Sequence, residues 1–166
     1  MPLTKLNSAS VIDRLPVGSV IQTKNTTVST HTTETTHGIP ADDTIATSSE
    51  GKEVMTLSIT PISASSKLLI KVVMFGSSRN DAVMTAALFQ DSGSASIAQI
   101  NAYQSTGTGT HALQFNHYMT SGTTSATTFK VRGGVNSGTF TFNGHSEVRQ
   151  LGGIASSSII IQEIKQ

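Results

Sequence analysis

The chain has 166 residues, with 11 basic against 10 acidic side chains for a formal charge of +1, no cysteine and no tryptophan. That length suits one domain, able to bury roughly 68–70% of the surface its unfolded chain exposes; the missing cysteines exclude a disulfide framework, a thiolate nucleophile and a sulfur-ligated zinc. The near-neutral balance removes the electrostatic footprint of a duplex-DNA binder or a polybasic membrane surface, so neither nucleic acid nor membrane is an expected partner.

Residues 1–16 differ in pattern from the rest of the chain. Leu3, Leu6, Ala9, Ile12 and Leu15 recur at every third position among polar residues. Neither a strand nor an ideal helix keeps that spacing on one face for long, so a short extended docking arm is the simplest reading, against the bland alternative of a frayed terminus. Pro16 and Gly18 punctuate its end, which places the boundary between an arm, 1–16, and a β-sandwich domain, 17–166. The first residues lack the apolar core of a secretory signal. The longest apolar run, Leu68 to Phe75, is broken by Lys71 and falls far short of the roughly 18 residues that cross a bilayer.

From Glu53 to the last residue one device repeats: a β-prone run of alternating character, then a Ser/Thr/Gly/Asn turn. Ser19 to Thr23 starts the first strand, and the Thr-rich stretch to Thr36 either continues it or forms a ribbon stopped at Gly38-Ile39-Pro40. Asp42 to Gly51 reads as a loop. Glu53 to Thr60 alternates cleanly, with Met55, Leu57 and Ile59 on one side and Thr56, Ser58 and Thr60 on the other. Lys67 to Phe75 is apolar on both faces, and Ala82 to Phe89 nearly so; each is either a central strand under another layer or a strand that meets a second subunit. Asn80-Asp81 and the alanines also permit a helix at 82–90, but strand is the reading preferred. Further runs at Ser96 to Tyr103, His111 to Thr120, Ala126 to Gly133, Gly138 to Asn143 and Ser157 to Ile164 bring the expected strands to about nine or ten. That is the count of an all-β jelly-roll sandwich with an extra strand or two.

The chemical candidates are thin. In an extended strand His31 and His37 share a face about 20 Å apart, with Glu34 on the opposite one, so a single metal cannot join them. His117 is in phase with Leu113, Phe115 and Met119, which points to a core or interface histidine. His145-Ser146-Glu147 lacks the second glycine of a nucleophile elbow. Gly107-Thr108-Gly109, Gly133-Gly134 and Gly152-Gly153 lack the context of phosphate loops and read as turns, and Asp42-Asp43 has no third ligand nearby. Glycan recognition is poorly equipped with only Tyr103 and Tyr118 as candidate platforms, the phenylalanines at 115, 129, 140 and 142 lying in core phase. No catalytic residue, cofactor or metal is expected, and the chain reads as a non-enzymatic protein that binds or assembles.

Five segments, in this order, resemble a jelly-roll virion module of tailed bacteriophages, particularly those of cyanobacteria and other marine bacteria, found in tail fibres and capsid-surface proteins. They are Gly18 to Gln22; Leu57 to Pro61 with Ser65 to Ile70; Leu88 to Ser92; Thr123 to Val131; and Ser158 to Ile164. The resemblance implies a jelly roll, usually a homotrimer, with a structural role at the virion surface after synthesis in the host bacterial cytoplasm. Fibre proteins of this kind usually carry long segments before the module. A short arm fits a capsid decoration or cement protein better, with Leu3, Leu6, Ile12 and Leu15 docking onto the major capsid protein or another virion protein. The other reading is a short tail or head fibre whose loops around Gly107 or Asn136 to Gly138 touch a host surface receptor.

Overall fold

A computed structural model describes residues 8–105 and 109–166. Twelve strands follow one short helix: α1 Ser8–Arg14, β1 Val20–Val28, β2 Thr32–Glu34, β3 Lys52–Ile59, β4 Lys67–Ser78, β5 Ala82–Gln90, β6 Ala98–Gln104, β7 His111–Thr120, β8 Thr127–Val135, β9 Phe140–Phe142, β10 Gly144–His145, β11 Val148–Arg149 and β12 Ser157–Ile164. Eight of these are long. They form two antiparallel sheets, β1-β12-β4-β7 and β3-β8-β5-β6, which in the order of the eight long strands is 1-8-3-6 against 2-7-4-5. That interleaving is the jelly roll the spacing of turns predicts. Short β9 continues the first sheet beside the far end of β4, and β2 pairs with β9.

Strand β4 alternates strictly. Leu68, Ile70, Val72 and Met74 point inward and are buried, while Leu69, Lys71 and Val73 on the outer side are half-buried. Against them the second sheet sets Met84, Leu88, Phe129 and Val131, each fully buried. The pleat accounts for this: residues two apart share a face, so a run with both parities apolar fills the core with one set and leaves the other for a second covering.

For β5 that covering comes from the chain itself. Ile39 and Ala46, in the loop between β2 and β3, pack on Ala87 and Phe89 as a small second core. The helix alternative for residues 82–90 is excluded, because β5 pairs with β6 on one edge and β8 on the other.

Gly133 and Gly134 lie inside β8 and not in a turn, a correction to the sequence reading. A Cβ on Gly133 would sit 2.6 Å from the Phe140 ring and 2.7 Å from Met74 Sδ, and one on Gly134 2.9 Å from Ile39 Cγ1. Bare backbone on alternate faces is what lets Phe140 enter the core and the covering loop close down.

The arm is likewise not extended over its described part. Residues Ser8–Arg14 are helical, Leu15 N–H closes onto Ile12 O at 3.1 Å, and Lys165 Nζ donates to the carbonyls of Ile12, Asp13 and Leu15. The Lys165 ammonium on the last carbonyls adds to the basic Arg14 already in the helix's last turn.

Two buried polar groups tie the ends of the sandwich. Glu163, fully buried, accepts from the backbone N–H of Ile62 (2.8 Å) and Ser63 (3.1 Å) and from Gln22 Nε2 (3.0 Å), linking β12, β1 and the β3–β4 turn. Asn143, at φ 52°, donates Nδ2 to Val28 O at 2.7 Å and accepts from Ser157 Oγ at 2.8 Å, filling the gap where β9 and β12 follow one another along β4. Replacing Glu163 with alanine leaves two part-buried backbone N–H donors and one amide without this acceptor. We expect a loss of about 2–3 kcal/mol in urea unfolding, with Glu163→Gln losing less because one acceptor oxygen remains.

Candidate interaction surfaces

Among the described residues no three His, Asp or Glu side chains converge on a metal-sized site. The chain turns immediately after Glu34, so His37 folds back on it instead of lying 20 Å from His31. Glu34 Oε1 accepts from the backbone N–H of Thr36 (2.6 Å) and His37 (3.1 Å), with His37 Nδ1 at 3.4 Å. Burial pushes this carboxyl up, but those hydrogen bonds and the neighbouring imidazole outweigh it and hold Glu34 below the usual range. It is a turn staple. His31 lies against Gly144 in the hairpin that β10 and β11 form, its buried Nε2 without a hydrogen-bond partner among the described residues.

Asp42 caps its own turn through the Thr44 N–H at 3.0 Å. Ser146 Oγ lies 3.4 Å from His145 Nε2, and the Glu147 carboxylate is turned away to Arg79 Nη1 at 2.8 Å, so the three consecutive residues do not assemble as base, nucleophile and orienting acid. Gly107 and Thr108 lie outside the described residues. Gly152 and Gly153, at φ 64° and 86°, do form a turn.

The outer face of the first sheet is largely apolar, and among the described residues no second buried cluster covers it as Ile39 and Ala46 cover the other sheet. Register brings Leu69 opposite Tyr118 and Gln162, Lys71 opposite Asn116 and Ile160, Val73 opposite Gln114 and Ser158, and Phe75 opposite Ala112. Directly paired residues share a face, so Leu69, Val73, Phe75, Ile160 and Tyr118 form one patch. A depression of about 250 Å³ opens there between Lys71, Val73, Gln114, Asn116, Ser158 and Ile160. Lys71 is the cation at its centre, and these four paired rows hold no carboxylate to meet it.

A second surface is the excursion between β9 and β12. Val148, Leu151 and Ile154 are 59%, 68% and 83% exposed on a segment where Ser146, Glu147 and Leu151 all adopt positive φ. The fibre alternative named the loops around Gly107 or Asn136 to Gly138 as contacts; Gly107 lies outside the described residues, and Asn136 exchanges hydrogen bonds with the Val83 backbone. Three apolar residues in a glycine-punctuated stretch were the available signal for the 144–154 excursion.

The expected docking residues divide. Leu3 and Leu6 lie outside the described residues. Ile12 and Leu15 are half-buried, whereas Val11 on the same helix and Val17 just beyond it are exposed.

A family profile described as the Pgp3 C-terminal domain matches residues 23–166, and the chain belongs to that family. None of the curated protein sequences matches it. Among solved structures, a sugar-binding protein, the EclA C-terminal domain, is similar at 13% identity with a TM-score of 0.40, covering 83% of this chain and 86% of that one. The infectious bursal disease virus VP2 subviral particle is similar at 10% identity with a TM-score of 0.45, covering 89% of this chain and 34% of that one. Latent PorU from Porphyromonas gingivalis is similar at 10% identity with a TM-score of 0.44, covering 90% of this chain and 14% of that one.

His117 faces inward from β7 opposite Ile70, and burial lowers its pKa from the ordinary value. Below about pH 6.5 the unfolded chain takes up a proton that the folded one resists, so the contribution is whole above that pH and is lost as pH falls towards the lowered folded pKa. Thermal melts at about pH 7.5 and pH 5.5 should therefore differ less for His117→Leu than for the wild-type chain. An unchanged difference would assign the acid sensitivity to other groups.

Proposed function

We propose that this member of the Pgp3 C-terminal domain family is a non-enzymatic structural protein of a bacteriophage virion: a homotrimeric capsid decoration protein whose N-terminal segment attaches it to the major capsid protein or another virion protein. Synthesis is in the bacterial cytoplasm, and neither cofactor nor metal takes part. The observation that carries this reading is the asymmetry of the two sheets. The second is covered by its own loop through Ile39 and Ala46, while the outer face of the first presents Leu69, Val73, Ile160 and Tyr118, which no second buried cluster among the described residues covers.

Another copy of the chain is the natural cover, and Lys71 bears on how copies meet. An isologous contact over this face would press two Lys71 ammonium groups into one apolar contact without a carboxylate. A heterologous, closed three-fold contact sets each face against a different surface of the next copy and avoids that cost. Three attachment segments on one rigid body then turn weak single contacts into firm binding. Because Ile12 and Leu15 are half-buried against their own chain, the docking residues of the arm reduce to those preceding α1, with Leu3 and Leu6 the ones the sequence singles out.

A second reading is a short head or tail fibre in which the same trimer presents the 144–154 excursion to a host surface receptor; exposed Leu151 and Ile154 favour it. Light scattering should give a mass of three times 17.4 kDa. Val73→Asp should yield folded monomer, and a Val73→Asp chain that remains trimeric would remove the first sheet from the interface. Deleting residues 1–7 should leave the trimer intact and abolish its binding to capsids. The fibre reading requires the reverse: capsid binding retained, and adsorption of phage to host cells blocked by purified trimer but not by Leu151→Ser.

A further inference from the structure

One side chain makes three hydrogen bonds to the root of the N-terminal segment. Lys165, just after β12, directs its ammonium at three carbonyls in the last turn of α1 and beyond it: Ile12 O at 3.0 Å, Asp13 O at 2.8 Å and Leu15 O at 2.8 Å. An ammonium has three N–H donors and all three are used. The backbone of the same residue is also spent, its N–H on Ser19 O and its C=O on Gly18 N–H, both at 2.9 Å. Lys165 therefore joins the strand that ends the sandwich to both the helix and the start of β1.

We propose that Lys165 is the positioning residue for attachment: it fixes the direction in which the N-terminal segment leaves the trimer, so that three segments point at the virion surface together. This rests on the reading that the segment is what attaches. A helix as short as Ser8–Arg14 is marginal by itself. Its orientation depends on what holds its end, and the negative end of its dipole meets a cation here. Three carbonyls converging on one point suit a compact ammonium and not a planar guanidinium, whose N–H bonds fan outward. Methionine keeps the apolar stem and removes the donors.

The test compares Lys165→Met, Lys165→Arg and a chain lacking residues 1–14 with wild type. Because the chain has no cysteine, a spin label on Val11→Cys reports α1 alone. Lys165→Met should keep the mass and fold of the trimer, turn an immobilised label spectrum into a mobile one, and weaken binding to capsid shells stripped of this protein about tenfold or more. Lys165→Arg should recover part of both. An immobile label, or wild-type attachment by Lys165→Met while the truncated chain has lost it, overturns the role of Lys165. Full attachment by the truncated chain overturns the attachment reading itself, and the positioning role with it.

Discussion

The fold depends on β4 being paired along both edges. β7 runs the length of one edge from Lys67 to Gly76, and β12 followed by β9 occupies the other. No single partner spans that second edge, so the backbone groups in the gap between β12 and β9 need an answer of their own, since buried unpaired groups cost about 1–3 kcal/mol each. Asn143 and Ser157 provide it: Asn143 N–H donates to Phe75 O, Phe75 N–H donates to Ser157 Oγ, and the Asn143 carboxamide reaches Val28 O. Asparagine at φ 52° is one of the few side-chain-bearing residues that tolerates this conformation readily.

What β4 presents on its two faces then decides the molecule's chemistry. The inward face meets residues from the second sheet and becomes core. The outward face has the same apolar character but no second buried cluster over it among the described residues, and Lys71 sits among its hydrophobic side chains. On the second sheet the equivalent problem is solved internally, because seventeen residues between β2 and β3 fold back over β5 and Arg132 anchors their end through Glu50 O and Gly51 O, both at 2.7 Å. One sheet is closed by a loop, and the other has no such loop over it among the described residues.

Much of this was legible because strand burial has a period of two. His111 to Thr120 and Ser157 to Ile164 coincide with β7 and β12, and residues 82–90 with β5, where alanine's helix preference loses to edge pairing on both sides. The misreadings share one cause: they concern contacts distant in sequence. Gly133-Gly134 reads as a turn because nothing nearby announces that Phe140 and Ile39 need the space. The helix at Ser8–Arg14 is invisible because its cap is Lys165, about 150 residues away. Likewise the half-burial of Ile12 and Leu15 cannot be read from the local sequence, because it depends on how the helix sits.

Lysine serves opposite ends in the two places that matter here. At 165 its charge is saturated by three carbonyls at fixed distances and acts as a local structural tie. At 71 the charge stands on a half-buried apolar face without a carboxylate in the paired rows around it, where burial by any neighbour carries a desolvation cost unless that neighbour brings an acceptor. If this face is an interface, as proposed, its apolar side chains alone would accept many partners. A cation in their midst would then narrow the choice to a surface that offers apolar area and a polar acceptor at one register.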